Sequence, residues 1–377
     1  MNIHDAFFAY WDELDRRQGW IDLGMGMPPI SLFFPSSEFE ADLIQGISHR
    51  ADYQPQAGPL DLRRMIAEYE VRRTGVEYTA ENIMLVAGAL RGFSLIIDNL
   101  ITPASNLLEI APTYPLLSGY ARFAARKFNC NISTITPCDK IDFLIQKDEI
   151  LPHITDSTIL YLTNPSNPTG LYVHNQLLTE VISTCEQLNS YVIIDESCDI
   201  PLNGNRSFGG HKTHSSSLVR IQSFSKTLLL AGYRAGYIVA DSKLIKKLSN
   251  YYAFSDANAP IVFNNALSNY FHTPEALLQI IMVAREKVQM STELLQSIPR
   301  VEHVINPEAC YYIFLKVDYQ GGSWDLFKYL LGRGVNVVPG ILFGIDERES
   351  WVRIGCGHDD NALAEGLDRL KYALECL

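Results

Sequence analysis

Between about residues 60 and 240 the chain alternates two textures, and this limits the fold more than any other property. Short, β-branched apolar runs ("NIMLVAG", "NLLEIAPTY", "TILYLTNPSNPTG", "YVIIDES", "LVRIQSFSK") each stop at polar residues or a glycine-containing turn, and helix-like amphipathic stretches such as "LDLRRMIAEYEVRR" lie among them. A continuous apolar run suits a strand buried on both faces, and parallel neighbours need helical crossovers. The pattern therefore predicts an α/β fold with a mainly parallel sheet covered on both sides. Ligands of such open sheets bind at the carboxyl ends of the strands, so the polar residues that close these runs are candidates for one shared site.

A chain of 377 residues is too long for one ordinary core, which predicts roughly two domains. After residue 240 the texture changes. A long helical stretch, "PEALLQIIMVAREKVQMSTELLQSI", leads to "ACYYIFLKV", a "VVPGILFG" turn, "SWVRIGCG" and a final amphipathic helix, "NALAEGLDRLKYALECL", for which Asp360 is the expected cap. This reads as a smaller α+β domain completed by the N-terminal segment. The expected boundaries are 1–40 and 276–377 for the small domain and 41–275 for the large one.

Net charge is -12, with no block of lysines or arginines, which argues against nucleic acid and anionic membrane as partners. The first twenty residues mix acids into their aromatics, and no run reaches about 18 apolar residues. We expect neither a secretory signal nor a membrane span, hence a cytoplasmic protein. Seven cysteines without a C-x-x-C pair predict that most are small core residues in a reducing compartment, not a disulfide framework or a zinc site.

Four strand-ending segments carry chemistry. In "YVIIDES", Asp195 follows a buried strand, where a lone carboxylate is costly, so a cationic partner is expected; a helix cap or structural ion pair is the alternative. "TNPSNPTG", residues 163 to 170, is a rigid turn that projects side-chain amides, or only a loop. In "LVAGALRGFSLIIDNLI", Gly88 and Ala89 open a helix whose free N–H groups suit a phosphate, although the Walker spacing is absent. "GMGMPP", residues 24 to 29, lacks the form of a dinucleotide loop.

"SFSKTLLLAGYRAGY" sets Lys226 and Arg234 in otherwise apolar, hydroxyl-bearing or glycine surroundings. A buried lysine becomes a usable amine for an aldehyde, while arginine offers a planar fork for phosphate, with Ser223 and Ser225 nearby. A carboxylate for a ring nitrogen, a lysine for an aldehyde and a cup for a phosphate together describe pyridoxal 5'-phosphate.

With these motifs in place, the sequence resembles the fold type I, pyridoxal-phosphate-dependent aminotransferases of classes I and II over nearly its whole length. Seven segments follow the family's order: "DYQPQAGPLDLRRMIAEY", "VAGAL", "APTYP", "TNPSNPTG", "DES", "SFSKTLLLAGYRAGY" and "WVRIGCG". The resemblance implies a large domain with a seven-stranded sheet and a homodimer with shared sites. It implies Lys226 as the Schiff-base lysine and proton shuttle, and Asp195 as partner of the pyridine nitrogen. Asn167 would donate to the ring's phenolic oxygen and also meet substrate, and Tyr114 would stack on the ring. Gly88, Ala89, Ser223, Ser225 and Arg234 would form the phosphate cup, reached by Tyr53 of a second subunit. Arg353 would clamp the substrate carboxylate, with Gly26 beside it.

One departure is Cys198, which stands three residues after the aspartate where the family commonly has a tyrosine. Without that hydroxyl, Asn167 becomes the main partner of the phenolic oxygen. His211 and His214 lie in a polar loop without metal-ligand spacing and read as solvated.

The function expected from this set is an aminotransferase exchanging an amino group between an α-amino acid and a 2-oxo acid. The alternative is a decarboxylase, lyase or cyclase of a specialised amino acid on the same scaffold, since substrate pose decides which bond breaks. A binding protein that keeps the fold without catalysis is disfavoured by the complete set of Lys226, Asp195, Asn167, Arg234 and Arg353. No second arginine for a dicarboxylic side chain is recognisable.

Overall fold

The computed structural model describes residues 1, 3–25, 41, 53–203, 215–260, 267 and 275–377. In chain order its principal helices are α1 (Ile3–Asp15), α2 (Leu60–Thr74), α3 (Ala89–Leu100), α4 (Pro115–Phe128), α5 (Asn175–Gln187), the single turn α6 (Phe224–Thr227), α7 (Ser242–Ser255), α8 (Glu275–Gln296), α9 (Gly322–Leu331) and α10 (Asp360–Glu375). The strands are β1 (Ile21–Asp22), β2 (Ile83–Val86), β3 (Asn106–Ile110), β4 (Asn131–Ile135), β5 (Thr158–Thr163), β6 (Tyr191–Asp195), β7 (Leu218–Ser223), β8 (Gly236–Val239), β9 (Val301–Val304), β10 (Tyr312–Val317), β11 (Val335–Asn336), β12 (Val338–Pro339) and β13 (Trp351–Gly355).

Seven strands form one sheet in the order β2-β8-β7-β6-β5-β3-β4, parallel except that β8 runs against both its neighbours. Every residue of β2, β5, β7 and β8 is buried, as expected of strands covered on both faces, Arg220 and Gln222 of β7 included. Successive residues of a strand point to opposite faces, and the core divides accordingly. Ile159, Tyr161 and Ile193 pack with α2, α3, α4 and α7, whereas Leu160, Leu162, Val192 and Ile194 pack with α5. The sheet is therefore covered on both sides. Strand β4 escaped the sequence reading because it is an edge strand of mostly polar, half-exposed residues.

The remaining strands make an antiparallel sheet, β12-β13-β10-β9, and a parallel pair, β1-β11. The apolar cluster around them takes in Ala6, Tyr10 and Leu14 of α1 together with Leu326, Phe327 and Leu330 of α9. The rings of Tyr10 and Phe327 lie 5.1 Å apart. Helix α10 is capped by Asp359, whose side chain accepts from the Ala362 N–H at 3.0 Å, and not by Asp360. Asp360 is already helical and instead pairs with Lys287. No described helix is long and apolar enough to cross a membrane.

Candidate active site

Three adjacent strand ends define the site. The register pairs Thr163 with Asp195 and Asp195 with Ile221, so β5, β6 and β7 finish side by side. The chain then turns into the segments holding Asn167, Cys198 and Lys226. Asp195 is 6% exposed, and its Oδ1 accepts from the backbone and hydroxyl of Ser197. Burial pushes its carboxyl up to about 6 against the pull of those Ser197 bonds, with the charge of neighbouring Glu196 adding to the rise. The sequence led us to expect a cation beside it. Among the described residues no cationic side chain pairs with Asp195, so its charge is held ready for a positive group from outside the chain.

Lys226 lies on α6, whose N-cap is Ser223, and its Nζ is 5.8 Å from the centre of the Tyr312 ring. The same ring lies 4.1 Å from the Arg353 guanidinium, so Tyr312 neighbours both cations. Arg353 comes from the middle of β13 and is 4% exposed. Its Nη1 donates to Asn167 Oδ1 at 2.7 Å and its Nη2 to the Gly24 carbonyl at 2.8 Å, while its buried Nε has no partner among the described residues. A guanidinium with an idle buried N–H is suited to a planar anion such as a carboxylate. Because Asn167 accepts through Oδ1, its Nδ2 is left as a donor.

Tyr114 is the residue before α4, whose first position is Pro115. Burial raises its hydroxyl pKa, and the charges of Lys226 and Arg353 oppose the rise. Cys198 is buried; the neighbouring Cys310 thiol and burial together hold its pKa well above the ordinary thiol range. It reads as a core thiol and not as a nucleophile.

The proposed phosphate corner is equally local. Gly236 pairs with Val86 on one side and Ser223 on the other, which brings the ends of β2 and β7 to the start of β8. Gly88 has φ +83, and a Cβ there would meet Arg234 Nη2 at 2.4 Å, so the arginine fork lies directly over the turn. Ala89 opens α3 and leaves N–H groups at the same corner. The Ser223 hydroxyl donates to Ser225 Oγ at 2.8 Å and accepts from the Ser225 N–H. Arg234 is exposed, its Nη1 donating to the Ala231 carbonyl at 2.8 Å.

One predicted residue is not brought in, and another cannot be placed. Tyr53 is 88% exposed and has no hydrogen bond, ion pair or ring contact among the described residues. Gly26, like His211 and His214, lies outside the described residues. Several residues went unrecognised in the sequence, among them Tyr312, Gly24 and a buried charge cluster beneath the site formed by Glu70, Arg73, Glu196, Asp199 and Arg220. One signal was legible: Arg220 interrupts the apolar run "LVRIQS", and a charge inside a buried strand requires a partner.

The donor set fits pyridoxal 5'-phosphate on three observations: the unpaired buried carboxylate of Asp195, the amine of Lys226, and the glycine-floored corner under Arg234. Comparisons with known proteins agree. The family described as "Aminotransferase class I and II" matches residues 20–370. The aspartate aminotransferase of Pyrococcus horikoshii is 26% identical over 97% of this chain and 93% of its own length. The aromatic-amino-acid aminotransferase 2 of Thermococcus litoralis is 23% identical over 95% of this chain and 92% of its own. Among solved structures, the alanine aminotransferase of Pyrococcus furiosus superposes with a TM-score of 0.86 at 21% identity, covering 100% of this chain and 97% of that one, which shows a shared fold. Matched by its family over residues 20–370, the chain belongs to the class I and II aminotransferases and is a transferase that depends on pyridoxal 5'-phosphate.

Proposed function

We propose that this aminotransferase works through a Schiff base on Lys226, exchanging the amino group of an α-amino acid with a 2-oxo acid in the cleft bounded by Asp195, Asn167, Tyr312 and Arg353. The observation that carries the reading is the Asp195 carboxylate, buried and without a cationic partner among the described residues. When bound, pyridoxal 5'-phosphate supplies an electron sink conjugated to the substrate α-carbon.

The chain's own residues do the rest. Asp195 holds positive charge at the ring nitrogen, and Asn167 donates through Nδ2 to the phenolic oxygen while its Oδ1 braces Arg353. Arg353 takes the α-carboxylate, its planar fork fixing the orientation of the substrate. Lys226 would be the base that takes the proton from the substrate α-carbon and the acid that returns it on the cofactor side. Tyr114 covers the ring face, and Gly88, Ala89, Ser223, Ser225 and Arg234 hold the phosphate.

On this reading the small domain comprises residues 1–40 and 276–377 and the large domain 41–275. Gly26 approaches the substrate, Tyr53 completes the phosphate cup of a second subunit in a homodimer, and the enzyme works in the cytoplasm. The test offers the purified holoenzyme a panel of apolar, aromatic and acidic amino acids. Conversion of the cofactor to its pyridoxamine form, with one equivalent of 2-oxo acid, is expected. Release of carbon dioxide or ammonia without that conversion would overturn the reading in favour of decarboxylation or elimination.

A further inference from the structure

Directly behind Asp195 lies a buried cluster that the chemistry above does not use. Glu196 accepts four hydrogen bonds: Oε1 from Arg220 Nε at 2.9 Å, and Oε2 from Arg73 Nη2 at 2.8 Å, Arg220 Nη2 at 2.8 Å and Gln222 Nε2 at 2.9 Å. Glu70 closes the group, accepting from Arg220 Nη2 at 2.7 Å and from the Tyr237 hydroxyl at 2.6 Å. Arg73 Nη1 reaches on to Asp199 at 2.7 Å, and Asp199 accepts also from the Tyr172 hydroxyl at 2.6 Å. Glu70, Glu196 and Arg220 are at most 1% exposed.

The cluster's members lie on the segments that carry the site. Glu196 and Asp199 flank Cys198 immediately after Asp195, and Gln222 precedes Ser223 and α6, which bears Lys226. Tyr237 follows Gly236 at the phosphate corner, and Tyr172 follows the turn of Asn167. A stability device needs no such placement. Its cost is also high, because Glu70 and Glu196 face two guanidiniums almost wholly out of water, with the partly buried Asp199, whose carboxyl pKa burial raises, at the margin.

We propose that Glu196 is a positioning residue of the reaction: by joining Arg73, Arg220 and Gln222 it fixes the turn after β6 against the end of β7, and so sets the Asp195 carboxylate and the Lys226 amine at a fixed span. The proposal rests on the roles assigned to Asp195 and Lys226 above. Charged pairs of this kind specify a geometry more than they stabilise a fold, because one carboxylate with several directed donors has a single good arrangement. The charge of Glu196, next to Asp195 in the chain, acts in the same sense, favouring a positive charge opposite Asp195.

The test uses a graded series in the holoenzyme: Gln222→Leu removes one bond to Glu196, Arg220→Lys keeps the charge but loses the fork, and Glu196→Gln removes the negative charge that pairs with Arg73 and Arg220. The mildest variant keeps the series informative if the strongest fails to fold. Three quantities are read: melting temperature, the pH midpoint of the visible band of bound pyridoxal phosphate, and kcat and KM separately. Expected are midpoints displaced progressively along the series, by about 0.5 pH or more in Glu196→Gln. In that variant kcat falls about 10- to 100-fold with KM within about 3-fold of wild type. Lys226→Ala is measured alongside. If its visible band persists, the underlying site assignment is wrong. If that band is lost but midpoints and kcat stay at wild-type values throughout the series, the positioning role of Glu196 is overturned and the site assignment stands.

Discussion

Asp195 concentrates the energetics of the site in one side chain. Its carboxyl is raised by burial from an ordinary 3.8 to about 6, so folding favours its protonated form. The resulting stability is fully present below about pH 4 and is lost as pH rises through about 6, a swing of up to about 3 kcal/mol. In the cofactor-free protein, Asp195→Asn should keep both bonds from Ser197 yet remove this loss. We predict a higher melting temperature than wild type at neutral pH and little difference near pH 4. Equal melting at neutral pH would contradict the account. Adding pyridoxal phosphate should reverse the order, because only the wild type gains a charge partner by binding. Arg353 makes a second prediction. Lysine cannot span Asn167, Gly24 and a substrate carboxylate together, so Arg353→Lys should cost about 100-fold in kcat/KM for the amino acid while leaving the cofactor's visible band in place. Steady-state kinetics beside an absorption spectrum check both halves.

At the scale of elements, the site exists because three parallel strands end in register and an antiparallel strand begins beside them. Gly236 is where this is tightest. A Cβ there would lie 2.5 Å from the Gln222 carbonyl and 3.3 Å from Gly88, both backbone contacts that cannot swing aside. Gly236→Ala should therefore push β7, β8 and the Gly88 turn apart, lowering stability by about 1–3 kcal/mol. It should also weaken retention of the cofactor, measured by fluorescence titration; unchanged affinity would separate the corner from phosphate binding. Much of this layout was legible in the sequence, because runs such as "TILYLT" and "YVIID" are apolar in their interiors and stop where the chemistry starts. What could not be read depended on contacts between distant segments. Nothing local to "ACYY" marks Tyr312 as the ring that meets both Lys226 and Arg353, and nothing in "AEYEVRR" tells Glu70 and Arg73 to meet Glu196. The polar edge strand β4 was hidden for another reason: an edge carries no hydrophobic run to detect.

For the whole molecule, the exposed Tyr53 and the exposed Arg234 belong to one question, the assembly. We predict that mixing Lys226→Ala subunits with Tyr53→Ala subunits restores activity that neither has alone, because a mixed dimer contains one site with both native residues. Sedimentation should show a dimer, and a mixture no more active than its parts would contradict shared sites. The central claim concerns Lys226. The most direct measurement is borohydride reduction of the holoenzyme followed by proteolysis and mass spectrometry. The pyridoxyl group is expected on Lys226, in the peptide that also holds Ser223 and Ser225. A cofactor fixed on any other lysine, or released unreduced by denaturation, would contradict it.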